Sequence, residues 1–264
     1  MGFFSRVERF GSVDSTQRVV REWLATGTPE VAIAVADEQS AGRGRQGRSW
    51  TAPPGAALLT SIGFRPANLK LRHGWRLAAT VSLAMLDAAE AAAGLRDDAL
   101  RLKWPNDIVA AYPDGRLEKV AGVLGESVAV GDVVGWSVVG IGVNVDWAAA
   151  DFPPNLKTTM TSLREMAGRP VDREQLLDEF LARLEPRYEA LRQGSFDAAT
   201  WSARQVSTGA QVEVDIGREM ITGLAIGVDP DSGELLVDGH SPIDSGEVIR
   251  CRLLGLLPAS AQPG

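Results

Sequence analysis

Cysteine and histidine are nearly missing from this 264-residue chain, which holds one of the first and two of the second. A lone Cys251 cannot close a disulfide within the chain, so the expected setting is a reducing one, the cytoplasm. With only His73 and His240 beside it, a zinc centre of the usual His and Cys ligands has too few donors. A serine triad needs one of those histidines, and neither stands in a recognisable motif. Long apolar runs are scarce as well. The Ala-rich stretch 77–94 carries Asp87 and Glu90 and reads as an amphipathic helix, not a membrane span. The first ten residues, MGFFSRVERF, include charge and lack the apolar core of a signal peptide. No excess of positive charge exists either. The formal net charge is −7, which argues against broad nucleic-acid binding but leaves room for one local anion site.

What is present reads as an α+β chain. QRVVREWLATG places Val19, Val20, Trp23 and Leu24 on one helical face, with Gly27 as the stop and Asp14, Ser15 and Thr16 as a cap. VAIAVA and AALLTSIGF are buried strands, and a long helix covers about 72–93. LRLK is a short strand in which Leu100 and Leu102 face one way and Arg101 and Lys103 the other. DIVAAY and KVAGVLGESVAV form a hairpin, followed by the apolar strand VVGWSVVGIGVNV. The order predicts a mixed or largely antiparallel sheet flanked by helices. A second long helix opens on an Asp172–Gln175 capping box, and Pro186 is expected to kink it or end its first half. From about 206, short strands broken by glycine and aspartate turns suggest a small β-barrel. The expected division is 1–205, 206–256 and a frayed tail, 257–264.

The stretch SAGRGRQGRSW sets Arg43, Arg45 and Arg48 among glycines. GRGRQG matches the dinucleotide fingerprint letter for letter. That fingerprint needs a helix to begin at the glycines, and here Pro53 and Pro54 follow almost at once. The acidic residue expected about 20 positions on is also missing. Two readings stay open: a solvated loop with incidental charge, or an anion-binding loop. In the second, glycines let backbone N–H groups approach an anion and arginines add bidentate donors. Such a loop is expected to be mobile until an anion orders it. A second candidate is KWPND, where Lys103 ends a strand and Pro105 fixes the frame from which it is presented. A third is Asn144, polar after a run of apolar residues.

Taken together, GRGRQGRSW, KWPND, KVAGVLGE and GIGVNV, in this order, resemble the biotin–protein ligases. The resemblance runs from the Asp14-Ser15-Thr16 motif through the C-terminal strands. It implies the biotin ligase catalytic fold, related to that of class II aminoacyl-tRNA synthetases, with an SH3-like barrel after it. It implies ATP-dependent activation of biotin to biotinyl-5′-adenylate and transfer to a lysine of a biotin carboxyl carrier domain. Ser15, Thr16, Gln17 and Gln39 are then the biotin head-group contacts. Arg43, Gly44 and Arg45 lie on the loop over biotin and the adenylate, and Lys103 lies beside the carboxylate and α-phosphate. Lys103 and Arg45 are the catalytic pair. Arg43, Arg45, Arg48, Trp50, Asn106, Lys119 and Asn144 would serve ATP, with Trp50 on the adenine and Asn144 near Mg2+. Two departures stand out: Gln17 where the family usually has Asn, and Gln46 where it often has Arg. The early position of the Asp14 motif points to the monofunctional form, without an N-terminal DNA-binding domain, and so to no DNA partner; with no apolar run fit to span a bilayer, no membrane partner is expected either. A lipoate–protein ligase is the enzyme alternative. A nucleic-acid-binding module is the alternative of another class, opposed by the acidic balance of 206–250.

Overall fold

The computed structural model describes residues 2–253; the expected tail, 257–264, and the end of the expected barrel lie outside them. Seven strands form the main sheet: β1 (Arg6–Val13), β2 (Ala32–Gln39), β3 (Ala57–Phe64), β4 (Leu100–Lys103), β5 (Asp107–Ala111), β6 (Leu117–Val130) and β7 (Val133–Asn144). Their spatial order is β1-β2-β3-β7-β6-β5-β4. Only β1 and β2 run parallel, so the sheet is mixed, as the hairpin-rich order predicted. β1 itself carries no sequence signal: at the sheet edge its residues are mostly exposed, so no apolar run marks it.

Helices cover both faces. α1 (Thr16–Ala25) buries Val20 and Leu24 against Ala34 and Val138. On the other face, α2 (Trp75–Ala93) and α4 (Arg173–Arg192) pack over Ile33, Val35, Leu58 and Ile62. Two short helices were not expected, α3 (Leu163–Ala167) and α5 (Ala198–Ala203). Pro186 does not break α4, which runs through it as one element. Its neighbours on the buried face, Phe180, Leu184, Tyr188 and Leu191, supply tertiary packing that offsets the missing backbone bond. The capping box is half formed: the Asp172 side chain accepts from Glu174 N and Gln175 N at 2.8 and 3.3 Å.

The C-terminal strands, β8 (Ala210–Asp215), β9 (Met220–Val228), β10 (Leu235–Val237) and β11 (Glu247–Leu253), form an antiparallel sheet ordered β10-β9-β8-β11. Its own apolar core includes Val212, Val214, Leu235 and Val248. The architecture is therefore α+β, with the second sheet set against the β4–β5 end of the first through Trp104.

Candidate active site

A cavity of about 640 Å³ opens between the start of α1, the arginine-glycine stretch, the β4–β5 turn, the middle of β6 and β7, and the start of β11. Every site residue named from the sequence lies on its wall. The cavity has two chemically distinct regions.

One is polar and buried. Ser15 occupies the N-cap position of α1, yet its side chain makes no cap bond, so the plain capping explanation fails. Thr16 N and Oγ1 both donate to Gln39 Oε1, at 2.8 and 3.0 Å, and Thr16 Oγ1 lies 2.8 Å from Ser61 Oγ. Gln17 Nε2 donates to Leu124 O at 3.3 Å. Ser15, Thr16 and Gln17 are buried. Buried polar groups persist where they are paired, and these are arranged to pair with each other and with a guest.

The other region is cationic. Arg43, Arg45, Arg48, Lys103 and Lys119 line it against two carboxylates, Asp107 and Glu247. A chain of net charge −7 thus concentrates positive charge on one wall. Lys119 Nζ lies 2.6 Å from Asp107 Oδ1, and Lys103 has no ion-pair partner among the described residues. Burial pulls the Arg45 guanidinium below its ordinary pKa, although it stays charged.

The arginine-glycine stretch forms a small hairpin. Trp50 N donates to Gly42 O at 2.9 Å and Gly44 N to Arg48 O at 2.7 Å, closing a small hairpin around a single 3-10 turn, Arg45–Gly47. No α-helix begins there, which disposes of the dinucleotide fingerprint. The hairpin is tied to β11: Arg45 Nη1 donates to Gly246 O at 2.9 Å, and Arg48 forms a two-pronged pair with Glu247, one prong at 2.7 Å. The Arg48 hydrogen bond holds the Glu247 carboxyl below its ordinary range, and Glu247 in turn raises Arg48.

Trp50 packs its indole onto β7. A Cβ on Gly142 would stand 2.5 Å from Trp50 Cε2, so glycine there makes room for the ring. Lys119 Nζ lies 5.5 Å from the ring centroid, a cation–π distance. Among the described residues the buried Trp50 Nε1 hydrogen has no partner. Asn106 commits its amide N–H to Val123 O at 2.8 Å, fixing the β4–β5 turn on β6. Asn144 Nδ2 donates to Thr161 O at 2.9 Å, which leaves Oδ1 as its spare donor to a cation. No group of three His, Cys, Asp or Glu stands together among the described residues. Asn144 Oδ1 and the Asp107 carboxylate are too few to cage a resident ion, but they suit Mg2+ held mainly by nucleotide phosphates.

Residues that sequence reasoning passed over as site residues also line the wall, among them Ser61, Trp104, Asp107, Glu247, Ile249 and Cys251. Asp107 was within reach, inside KWPND. Glu247 was not, since 199 positions separate it from Arg48 and nothing local marks it.

The sequence profile of the Biotin/lipoate A/B protein ligase family matches residues 10–144. The biotin–[acetyl-CoA-carboxylase] ligase of Mycobacterium tuberculosis is 33% identical over 226 residues, covering 83% of this chain and 79% of that one. The bifunctional ligase/repressor BirA of Bacillus spizizenii is 33% identical, covering 88% of this chain and 69% of its own length. Among solved structures, biotin protein ligase from Aquifex aeolicus in complex with biotin and ATP superposes with a TM-score of 0.74 at 29% identity, over 92% of this chain and 97% of that one.

Proposed function

The chain belongs to the biotin/lipoate A/B protein ligase family, and on that premise we propose that its cavity joins biotin to AMP and hands the acyl group to a protein lysine. It is an ATP-dependent biotin–protein ligase. The observation that carries the assignment of roles is the division of the cavity into a buried polar region and a cationic one.

The polar groups of Ser15, Thr16, Gln17 and Gln39 suit the head group of biotin, a ring urea with a donor and acceptor edge. The longer Gln17 keeps a donor and an acceptor where the family usually has Asn. The carboxylate of the guest then lies toward Lys103. In the first step a carboxylate oxygen attacks the α-phosphorus of ATP, the bond to the β-phosphate oxygen breaks, and pyrophosphate leaves. Two anions must meet, and Lys103, Arg43, Arg45 and Arg48 offset their repulsion and the charge that develops. Trp50 and Lys119 are placed to receive the adenine and phosphates, beside Asn106 and Gly44. Magnesium, when bound with ATP, neutralises phosphate charge, and Asn144 with Asp107 would hold it. In the second step an acceptor amine attacks the acyl carbon, AMP leaves, and the amine proton passes to solvent. No protein nucleophile is required, which agrees with a wall that offers cations in place of a triad.

The arginine hairpin shields the mixed anhydride from water. The acceptor is a biotin carboxyl carrier domain of an acetyl-CoA or related carboxylase. The setting is the cytoplasm, read from the lone cysteine; among the described residues no helix is long and apolar enough to cross a membrane. Incubation with ATP, Mg2+, biotin and a carrier domain, followed by mass measurement of the carrier, tests the assignment. One added biotinyl group that depends on both biotin and ATP is expected. An unmodified carrier, or equal modification when lipoate replaces biotin, refutes it.

A further inference from the structure

Lys103 carries no ion pair of its own among the described residues, so its backbone frame decides where the ammonium can reach. That frame is held on one side by a segment outside the cavity and on the other by Trp104, which lines the cavity and reaches from it into the C-terminal core. Before it, Leu102 N donates to Arg204 O at 2.9 Å and Val206 N donates to Leu102 O at 2.8 Å, tying β4 to the segment that leads into β8. After it comes Trp104, only 4% exposed. Its neighbours are not those of the main sheet. Trp104 belongs to the core of the C-terminal sheet, among Val212, Val214, Leu235, Val237 and Ile243.

The indole is also oriented. Trp104 Nε1 donates to Gly233 O at 3.1 Å. Gly233 sits in the β9–β10 turn at φ +78°, where a Cβ would meet the Trp75 ring at 2.7 Å. The start of α2 grips the same turn. Trp75 Nε1 donates to Asp231 O at 3.2 Å, Arg76 Nη2 donates to Pro230 O at 3.0 Å, and His73 Nε2 lies 2.8 Å from Asp231 Oδ1. The carbonyl that receives the Trp104 N–H is thus fixed by the main body of the fold through a second route.

We infer that Trp104 is a positioning residue for the ligation reaction: seated in the C-terminal core and bonded to Gly233 O, its indole sets the point from which Lys103 meets the reacting carboxylate and phosphate. The C-terminal sheet is then part of the reaction apparatus through its interior as well as through Glu247 at the cavity edge. The inference rests on the proposed role of Lys103. A group moved by about 1 Å can lose up to a hundredfold in rate, so a shift too small to unfold the protein is enough to be read kinetically.

The test compares Trp104→Phe, which shortens the side chain and removes the N–H, with Val212→Ala, which deletes methyls from the same core away from the cavity wall. Both are measured for thermal midpoint and for biotin-dependent exchange of pyrophosphate into ATP. Both midpoints are expected to fall. Trp104→Phe should lower kcat about tenfold with both KM values within about twofold. Val212→Ala should keep kcat within about twofold of wild type. Full kcat in Trp104→Phe, or an equal loss in Val212→Ala, overturns the inference. If Trp104→Phe does not fold, Trp75→Phe loosens the β9–β10 turn and leaves Trp104 intact; unchanged kcat in that variant overturns the inference, and a loss of about threefold supports it. Absence of exchange in the wild type would instead refute the ligase assignment.

Discussion

Replacing Gly142 by alanine sets one methyl group where the Trp50 ring now lies. Gly142 is outside the left-handed backbone region, so alanine meets no conformational strain and the indole is the obstacle. The added Cβ would stand 2.5 Å from Cε2, 2.7 Å from Nε1 and 2.9 Å from Cζ2. All three atoms belong to one rigid ring, so the ring must move as a body. Overpacking of this kind costs about 1–3 kcal/mol. If ATP needs the ring in its present place, that energy opposes nucleotide binding, and KM for ATP should rise about fivefold to 150-fold. The Thr16–Gln39 hydrogen bonds do not involve the ring, so KM for biotin should stay within about twofold. Pyrophosphate exchange at varied ATP and varied biotin reads both. A second arm isolates the cause. In a Trp50→Ala background the same glycine substitution should add little, because the atoms it strikes are gone. An unchanged KM for ATP in Gly142→Ala, or the same shift in both backgrounds, refutes the reasoning.

Other contacts yield their own tests. Arg45→Gly removes the tie to Gly246 O and should let adenylate escape, seen as biotin on bystander lysines; no rise over wild type would count against the shielding hairpin. Glu247 is held below its ordinary pKa by Arg48, so the pair contributes stability above the unfolded carboxylate value and loses it as pH falls through the lowered folded value. The midpoint advantage of wild type over Glu247→Gln should therefore be present at about pH 7 and shrink toward about pH 3, and an advantage independent of pH would contradict it. Tyr188 is fully buried with its hydroxyl donated to Glu30, and burial with that carboxylate pushes its pKa up. Tyr188→Phe leaves Glu30 short of a donor and should lower unfolding free energy by about 1–3 kcal/mol in a urea titration, with activity per folded molecule unchanged. A urea midpoint equal to wild type would show that the bond contributes nothing.

Much of the fold was legible because its interior strands are apolar on both faces. β3 is buried at every position, and AALLTSIGF shows it. β1 was illegible for the converse reason: an exposed edge strand needs no apolar run, only a partner. Pro186 misled because propensity is a weak prior beside a buried helix face. The cap explanation failed because the Ser15 side chain makes no cap bond and Thr16 turns to Gln39 and Ser61, contacts separated by 23 and 45 residues.

The arginines and Lys103 lie in short segments whose composition is unusual, whereas the polar residues at the start of α1 read as a plain cap and entered the site only through the family resemblance. Local order could not disclose what completes the cavity or steadies it. Glu247 reaches Arg48, and Trp104 enters a core built from residues more than a hundred positions away. Such contacts depend on how two sheets pack, and packing is a property of assembled surfaces that no local run of residues encodes.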